Sequence, residues 1–211
     1  MGKGRLEAFS DGVFAIAITL LALDLISRIP VVPRQTADLT LPHALVGLLP
    51  GLVSYIISFV LVSVCWTWHH GIFRFIRKYD IRLVVLNNSF LLCVALVPFP
   101  AALFGHYPNS QTAFVIYMGF FALTMTLGAL VWIYAAAGRR FIPEDLDGGF
   151  VRYIAFRGLA PALAMSLGMT VALFDRQLAI FGVLAGILAT RLIARFGFRG
   201  ARAHAASSAA D

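Results

Sequence analysis

The chain has 211 residues, of which 60% are hydrophobic and 13% are charged, and its mean hydropathy is +0.87. Charged residues make up about 25% of an average soluble domain, so this composition excludes a water-soluble fold and favours a membrane protein. The formal net charge is +7, but the Lys and Arg residues lie between apolar runs rather than on one soluble face. We therefore expect no nucleic-acid partner.

Apolar runs recur along the chain, each near the ~20 residues that a helix needs to cross a bilayer. They predict six spans, at 7–28, 45–73, 83–105, 111–137, 153–174 and 177–197. Pro50-Gly51 predicts either a kink in the second span or its beginning, and Pro98-Phe99-Pro100 predicts a break near the outer end of the third. The fold class is thus all-α and polytopic, with a six-helix transmembrane domain at 1–198 and a disordered cytoplasmic tail at 199–211.

The basic residues predict the orientation of the chain. With the N-terminus inside, fourteen of the seventeen basic residues are cytoplasmic: Lys3, Arg5, Arg74, Arg77, Lys78, Arg82, Arg139, Arg140, Arg152, Arg157, Arg191, Arg195, Arg199 and Arg202. Only Arg28, Arg34 and Arg176 face out, and we interpret Arg28 and Arg34 as topology determinants that contact lipid headgroups. The predicted location is the cell membrane, with both termini cytoplasmic.

The first helix combines an apolar stripe with acidic side chains. On a helical wheel one arc of about 100° holds Phe9, Ile16, Thr19, Leu20 and Leu23. Glu7 and Asp11 lie on a different side of the helix. Because ionisable groups at membrane depth are costly, they normally face protein or water rather than lipid. The two sides of this helix are therefore expected to meet different surroundings.

The second and third helices supply polar partners for Asp11. One stripe of the second helix holds Tyr55, Phe59, Trp66, His69, His70 and Phe73. An indole or imidazole N–H from this stripe is a suitable donor to Asp11 where water is absent. Asn87 and Asn88 lie near the cytoplasmic end of the third helix, and amides of this kind hold membrane helices together.

Metal, disulfide and enzyme chemistry find little support in the sequence. The side chains of His69 and His70 point about 100° apart on a helix, so they do not form a metal site together. Cys65 and Cys93 fall inside predicted spans, where they are interpreted as packing residues. The chain contains no nucleotide-binding loop, nucleophile elbow or H-E-x-x-H motif. We expect no catalytic residue, metal or cofactor.

Three motifs together resemble the transmembrane protein 175 family. They are Arg5-x-x-x-Phe9-Ser10-Asp11 in the first helix, Trp66-x-x-His69-His70 in the second, and Asn87 eleven residues before Pro98-Phe99 in the third. The likeness is close over the first three spans and rests on span number and hydropathy beyond them. A single set of six spans is similar to the prokaryotic members, since the animal lysosomal members carry two sets.

The resemblance implies a potassium-permeable channel, assembled as a homotetramer with the first helix lining a central pore. It implies a constriction at Ile16, with Leu20 and Leu23 further out, and a hydroxyl layer at Thr19. The remaining motif residues are expected to form a structural network: Arg5, Phe9, Ser10, Asp11, Trp66, His69, His70 and Asn87. No TVGYG-type carbonyl filter occurs in the chain.

Other interpretations remain open from the residues alone. A leucine-rich stripe on a membrane helix more often faces lipid or packs in the core than lines a pore. An isolated membrane carboxylate often carries protons, so a proton-coupled secondary carrier using Asp11 and His69 is the alternative function. A membrane scaffold without transport is a third.

Overall fold

The computed structural model describes residues 2–29, 31, 33, 34 and 37–197 of the chain. Within these residues the secondary structure is helical, and no strand occurs. The α-helices are α1 (Lys3–Ser27), α2 (Ala37–Val46), α3 (Leu49–Phe73), α4 (Ile81–Leu96), α5 (Pro98–His106), α6 (Gln111–Ala136), α7 (Gly148–Phe174) and α8 (Ala179–Gly197). The tail predicted at 199–211 lies outside the described residues.

Five segments of the described chain are long and apolar enough to cross a membrane: Lys3–Ser27, Leu49–Phe73, Ile81–His106, Gln111–Arg139 and Gly148–Phe174. The third of these consists of α4 and α5, which meet at Val97 directly before the predicted Pro98-Phe99-Pro100 break. These segments confirm the all-α prediction and its multi-pass character. The sixth predicted span coincides with α8, and its crossing of the membrane stays a prediction.

The second predicted span begins too early in the sequence. Residues 45 and 46 belong to α2, and the chain turns at Gly47 and Leu48 before α3 begins at Leu49. Pro50 occupies the first turn of α3, where its missing N–H costs nothing. Pro50-Gly51 therefore marks the beginning of a helix and not a kink. At ten residues, about 15 Å long, α2 is too short to span the bilayer.

Three helices begin at side chains that accept a backbone hydrogen bond from the residue three positions later. Asp80 caps α4 at 2.8 Å, Ser110 caps α6 at 3.3 Å and Asp147 caps α7 at 2.8 Å. Such caps satisfy one of the backbone N–H groups that the first turn of a helix leaves unpaired. The beginnings of α4, α6 and α7 are thus fixed by local sequence.

The largest buried side chains of the subunit lie on α6, which packs against α4, α5 and α7. Tyr117, Phe121 and Trp132 are all fully buried there. On the other flank, α1 packs against α3, α4 and α5. The last helix, α8, packs on α7, and a side chain at Gly186 would lie 2.6 Å from the Cα of Ala164. The last two helices therefore pack closely against each other.

Candidate functional site: the first helix and its polar contacts

The inner face of α1 is a complete packing surface. Its buried residues are Leu6, Ser10, Phe14, Ala17 and Leu21, spaced by three or four positions. That spacing places them on one side of a helix. They contact α3, α4 and α5, so the rotation of α1 about its own axis is fixed by the subunit.

The opposite face of α1 is apolar and uncovered in a single subunit. Ile16 is 59% exposed, Leu20 41% and Leu23 58%, and Phe9 lies on the same face near the N-terminal end of α1. Thr19 is exposed beside them and donates its hydroxyl to the carbonyl of Ile16 at 2.8 Å. Its oxygen lone pairs therefore remain available to a ligand. The residues that the wheel grouped do share one outward face, and no described part of the subunit covers it.

Asp11 meets the second motif through Trp66. The indole Nε1–H of Trp66 donates to the carboxylate of Asp11 at 2.8 Å. The ring of His70 stacks on Trp66 at a centroid distance of 5.6 Å. All three side chains are exposed in the single subunit, as is Arg5, which forms no ion pair with the described residues. Asp11 thus connects α1 to α3 at the surface rather than in the core.

His69 belongs to a separate, buried string of hydrogen bonds. Its Nε2–H donates to the amide oxygen of Asn87 at 2.8 Å, and the amide nitrogen of Asn87 donates to Ser10 at 3.3 Å. The Ser10 hydroxyl donates in turn to the carbonyl of Leu6 at 2.9 Å. Each buried side chain in this string has at least one hydrogen-bond partner, and the string joins α1, α3 and α4.

Aromatic rings surround the imidazole of His69. The ring centroids of Phe73, Phe90 and Phe14 lie 4.4, 5.4 and 5.8 Å away. The aromatic stripe predicted on α3 is therefore divided between two environments: His69 and Phe73 are buried, whereas Trp66 and His70 face outward. The predicted donors to Asp11 divide in the same way, because Trp66 reaches it while His69 and Asn87 bind each other.

Arg28 is the residue whose environment the sequence interpretation missed. Instead of extending to headgroups, its guanidinium donates to the carboxylate of Asp24 from Nε at 3.0 Å and from Nη2 at 2.7 Å. Nη2 also donates to the carbonyl of Ala102 at 2.9 Å, in α5. Gly51 and Gly105 make room for it, since a Cβ at either position would lie 3.0–3.1 Å from the Arg28 side chain. The signal available in the sequence was the i,i+4 spacing of Asp24 and Arg28.

The two cysteines are buried in the packing between helices. Cys65 and Cys93 are free and buried, and the Cys65 sulfur lies 3.7 Å from that of Met125. Within the described ranges, no three His, Cys, Asp or Glu side chains lie close enough together to hold a metal ion.

The described chain has five apolar helical segments of spanning length, and the first two of them, α1 and α3, are joined by the pair Asp11 and Trp66. These features define a multi-pass membrane protein. Residues 5–98 match the family described as endosomal/lysosomal potassium channel TMEM175. A potassium channel of Streptomyces collinus is 34% identical over 189 residues, which cover 87% of this chain and 89% of that one. The chain therefore belongs to the TMEM175 family, and the resemblance found in the three motifs is confirmed.

A solved structure and an animal relative extend this comparison. The crystal structure of a lysosomal potassium-selective channel TMEM175 homolog from Chamaesiphon minutus has a TM-score of 0.72 and 28% identity, covering 91% of this chain and 97% of that chain. The human endosomal/lysosomal proton channel TMEM175 is 36% identical over 101 residues, 46% of this chain and 20% of the human protein. The likeness to the bacterial channels thus extends over most of the chain, whereas the human match covers less than half of it.

Proposed function

We propose that this protein is a passive potassium-permeable channel of the cell membrane, in which α1 lines a central pore. Two bacterial relatives are described as potassium channels, and one of them aligns with most of this chain. The observation that carries the proposal is the outward face of α1, where Ile16, Leu20 and Leu23 stand uncovered while the opposite face is fully packed. A homotetramer would bring four copies of this face to one axis.

Under this proposal the constriction is an apolar ring. Ile16 forms its narrowest part, Leu20 and Leu23 continue it outward, and Thr19 adds a hydroxyl oxygen between them. An ion passing such a ring must shed water beside side chains that offer no replacement, so the ring can close by dewetting. Both termini are placed on the cytoplasmic side, as the distribution of basic residues indicates.

Potassium efflux from vesicles tests the proposed conduction. Purified protein in potassium-loaded liposomes should release potassium down its gradient with no proton gradient added. A release that occurs only when protons are supplied would favour coupled transport instead. Native mass spectrometry of the same sample tests the tetramer, and a monomer or dimer as the largest species would contradict it.

Proton permeation is a second candidate, favoured by the animal relatives described as proton channels. The family match spans residues 5–98, which include the motif residues Asp11 and Trp66. A pH-sensitive dye inside potassium-free vesicles separates the two activities. The carrier alternative built on Asp11 and His69 is less well supported, because the hydrogen bonds of these two side chains lead to different partners.

A further inference from the structure

Two loops at one end of the helices line an open basic cavity. Loop 74–80 joins α3 to α4, and loop 137–147 joins α6 to α7; the backbone N–H of Arg77 donates to the carbonyl of Phe141 at 2.8 Å and holds the two together. The cavity between them has a volume of about 440 Å³. Its charged lining consists of Arg77, Lys78, Arg139, Arg140, Glu144 and Asp145.

The cations on this lining differ in how far they are already engaged. Arg139 donates to the carbonyls of Glu144 and Leu146, and Arg140 donates to the hydroxyl of Tyr134 at 3.0 Å. The side chains of Arg77 and Lys78 are exposed and form no ion pair within the described part of the chain. These bonds hold Arg139 and Arg140 in position, whereas the side chains of Arg77 and Lys78 can move toward a bound ligand.

The charge balance of the cavity favours an anion. Four cationic side chains face two carboxylates on the lining, and the nearby Asp80 lies 3.7 Å from Arg140. Even with one cation matched to Asp80, the cations outnumber the lining carboxylates. Both Arg139 and Arg140 keep guanidinium donors that their present bonds do not use, since the group has five N–H donors.

We propose that this cavity binds a phosphate group. Arg and Lys side chains form charge-assisted hydrogen bonds to phosphate oxygens, and Arg supplies paired donors for them. The volume lies in the range of small-molecule sites, roughly 300–1,000 Å³. The loops follow the ends of two spanning segments, so the phosphate can belong to an anionic lipid headgroup or to a soluble phosphate compound. The proposal does not depend on ion conduction.

Binding measured on the full chain in neutral detergent tests the site and distinguishes the two sources. One arm titrates inorganic pyrophosphate by calorimetry at constant ionic strength. The other titrates a short-chain phosphatidylglycerol, with phosphatidylcholine of the same chain length as the neutral comparison. Saturable binding in the first arm identifies a soluble phosphate, and binding confined to the second identifies a lipid headgroup. Either result supports the site, whereas saturable binding in neither arm overturns it.

Matched double variants separate a defined site from general attraction to a basic surface. Arg77→Gln with Lys78→Gln removes the free pair, and the loss of these charge-assisted hydrogen bonds should raise the Kd about tenfold or more. Arg152→Gln with Arg191→Gln removes the same charge from exposed positions on α7 and α8 and should change the Kd less than about twofold. An equal rise of the Kd in both double variants would overturn the proposal. The elution volume of each variant shows that the fold is kept.

Discussion

At the residue scale, the pairing of Asp11 with Trp66 leads to a prediction about assembly. The 2.8 Å hydrogen bond lies on a spanning helix, where no bulk water replaces a lost partner. Asp11→Ala should therefore remove about 1–2 kcal/mol of helix association. We expect a lower melting temperature in detergent and a smaller yield of assembled oligomer by size-exclusion chromatography.

Glu7→Ala is the matched control for the Asp11 substitution. Glu7 is an acid one turn earlier on α1, and its only described ion pair is a 3.6 Å contact with Lys3 that is partly exposed. Surface pairs of this kind contribute roughly 0–1 kcal/mol. An Asp11→Ala protein that assembles fully and loses only a pH dependence of flux would contradict the structural role.

Arg28 supports a second prediction, on the C-terminal end of α1. Arg28→Gln would leave Asp24 without its cationic partner and remove the hydrogen bond to Ala102 in α5. Losing one member of a partly buried pair costs more than losing an exposed charge, because the remaining carboxylate stays desolvated. The melting temperature should fall clearly, whereas Arg34→Gln, at an exposed position, should leave it within about one degree.

The environments of Arg28 and Asp11 show which side-chain contacts can be predicted from the sequence and which cannot. That Asp11 needs a donor follows from the cost of a charge at membrane depth. The sequence offered donors on α3 and α4, and the one that Asp11 meets, Trp66, lies on α3. Which donor it meets depends on the rotation of α3, and that rotation buries His69 while leaving Trp66 outward. The Arg28 environment depends on Gly51 and Gly105, whose backbones approach from two other helices. Neither the rotation of α3 nor the close approach of these two glycines can be predicted from the spacing of residues along the chain.

At the scale of single elements, the outward stripe of α1 yields a prediction about conduction. Ile16→Asn keeps the number of heavy atoms in the side chain and adds hydrogen-bonding groups to the proposed constriction. Since a more polar ring resists dewetting, basal potassium flux should rise severalfold with the oligomer intact. The measurement is efflux from liposomes at matched protein content.

The choice of control for this experiment follows from the structure. Leu21 lies on the packed face of α1 and is only 3% exposed, so a polar substitution there would damage the core. Ile187→Asn on α8 makes the same replacement at an exposed position on a helix that packs on α7. An equal change of flux in both variants, or no change at Ile16, would mean that this face of α1 does not line the pore.

The helices themselves were predicted better than their ends. Hydropathy located each spanning segment because the requirement for about 20 apolar residues is imposed by the bilayer. It failed at α2, where apolar residues continue through the turn at Gly47 and Leu48 into α3. A short helix outside the membrane and the first turn of a span have similar composition, so only backbone geometry separates them. The stripe on α1 was predictable because helical periodicity alone defines it.

At the scale of the whole molecule, Asp80 joins three segments and predicts a pH dependence. It caps α4, accepts the Tyr134 hydroxyl of α6 at 2.7 Å and lies 3.7 Å from Arg140. The backbone N–H of Leu83 is the largest influence that holds the pKa of Asp80 below its usual range, and Tyr134 and Arg140 act in the same direction. A lowered pKa means that the folded state favours the ionised carboxylate.

Because the folded state favours the ionised form of Asp80, this side chain stabilises the fold more at neutral pH than in acid. The stabilisation is complete above the usual Asp pKa, roughly 3.9, and is lost as the pH falls through the lower folded value. Asp80→Asn should melt below the wild type at pH 6, and the two melting temperatures should converge as the pH falls through the lowered pKa of the folded state. Asp145→Asn, an exposed carboxylate on loop 137–147, should track the wild type throughout. A difference in melting temperature between Asp80→Asn and the wild type that stays constant with pH would show that the charge of Asp80 does not contribute to stability.

Asp11 and Trp66 lie far apart along the chain, so their hydrogen bond can form only late in the synthesis and insertion of the protein. Arg28 follows Asp24 by four residues, so this pair can form as soon as α1 becomes helical. Trp66 follows Asp11 by 55 residues, and at 5–20 residues per second the ribosome needs roughly 3–11 s to synthesise the chain as far as Trp66. During that interval the newly made helix carries an acid near its N-terminal end that lacks the Trp66 donor. The insertion machinery must therefore retain α1 beside water or protein until α3 arrives, and lateral release into lipid comes after the two helices have met.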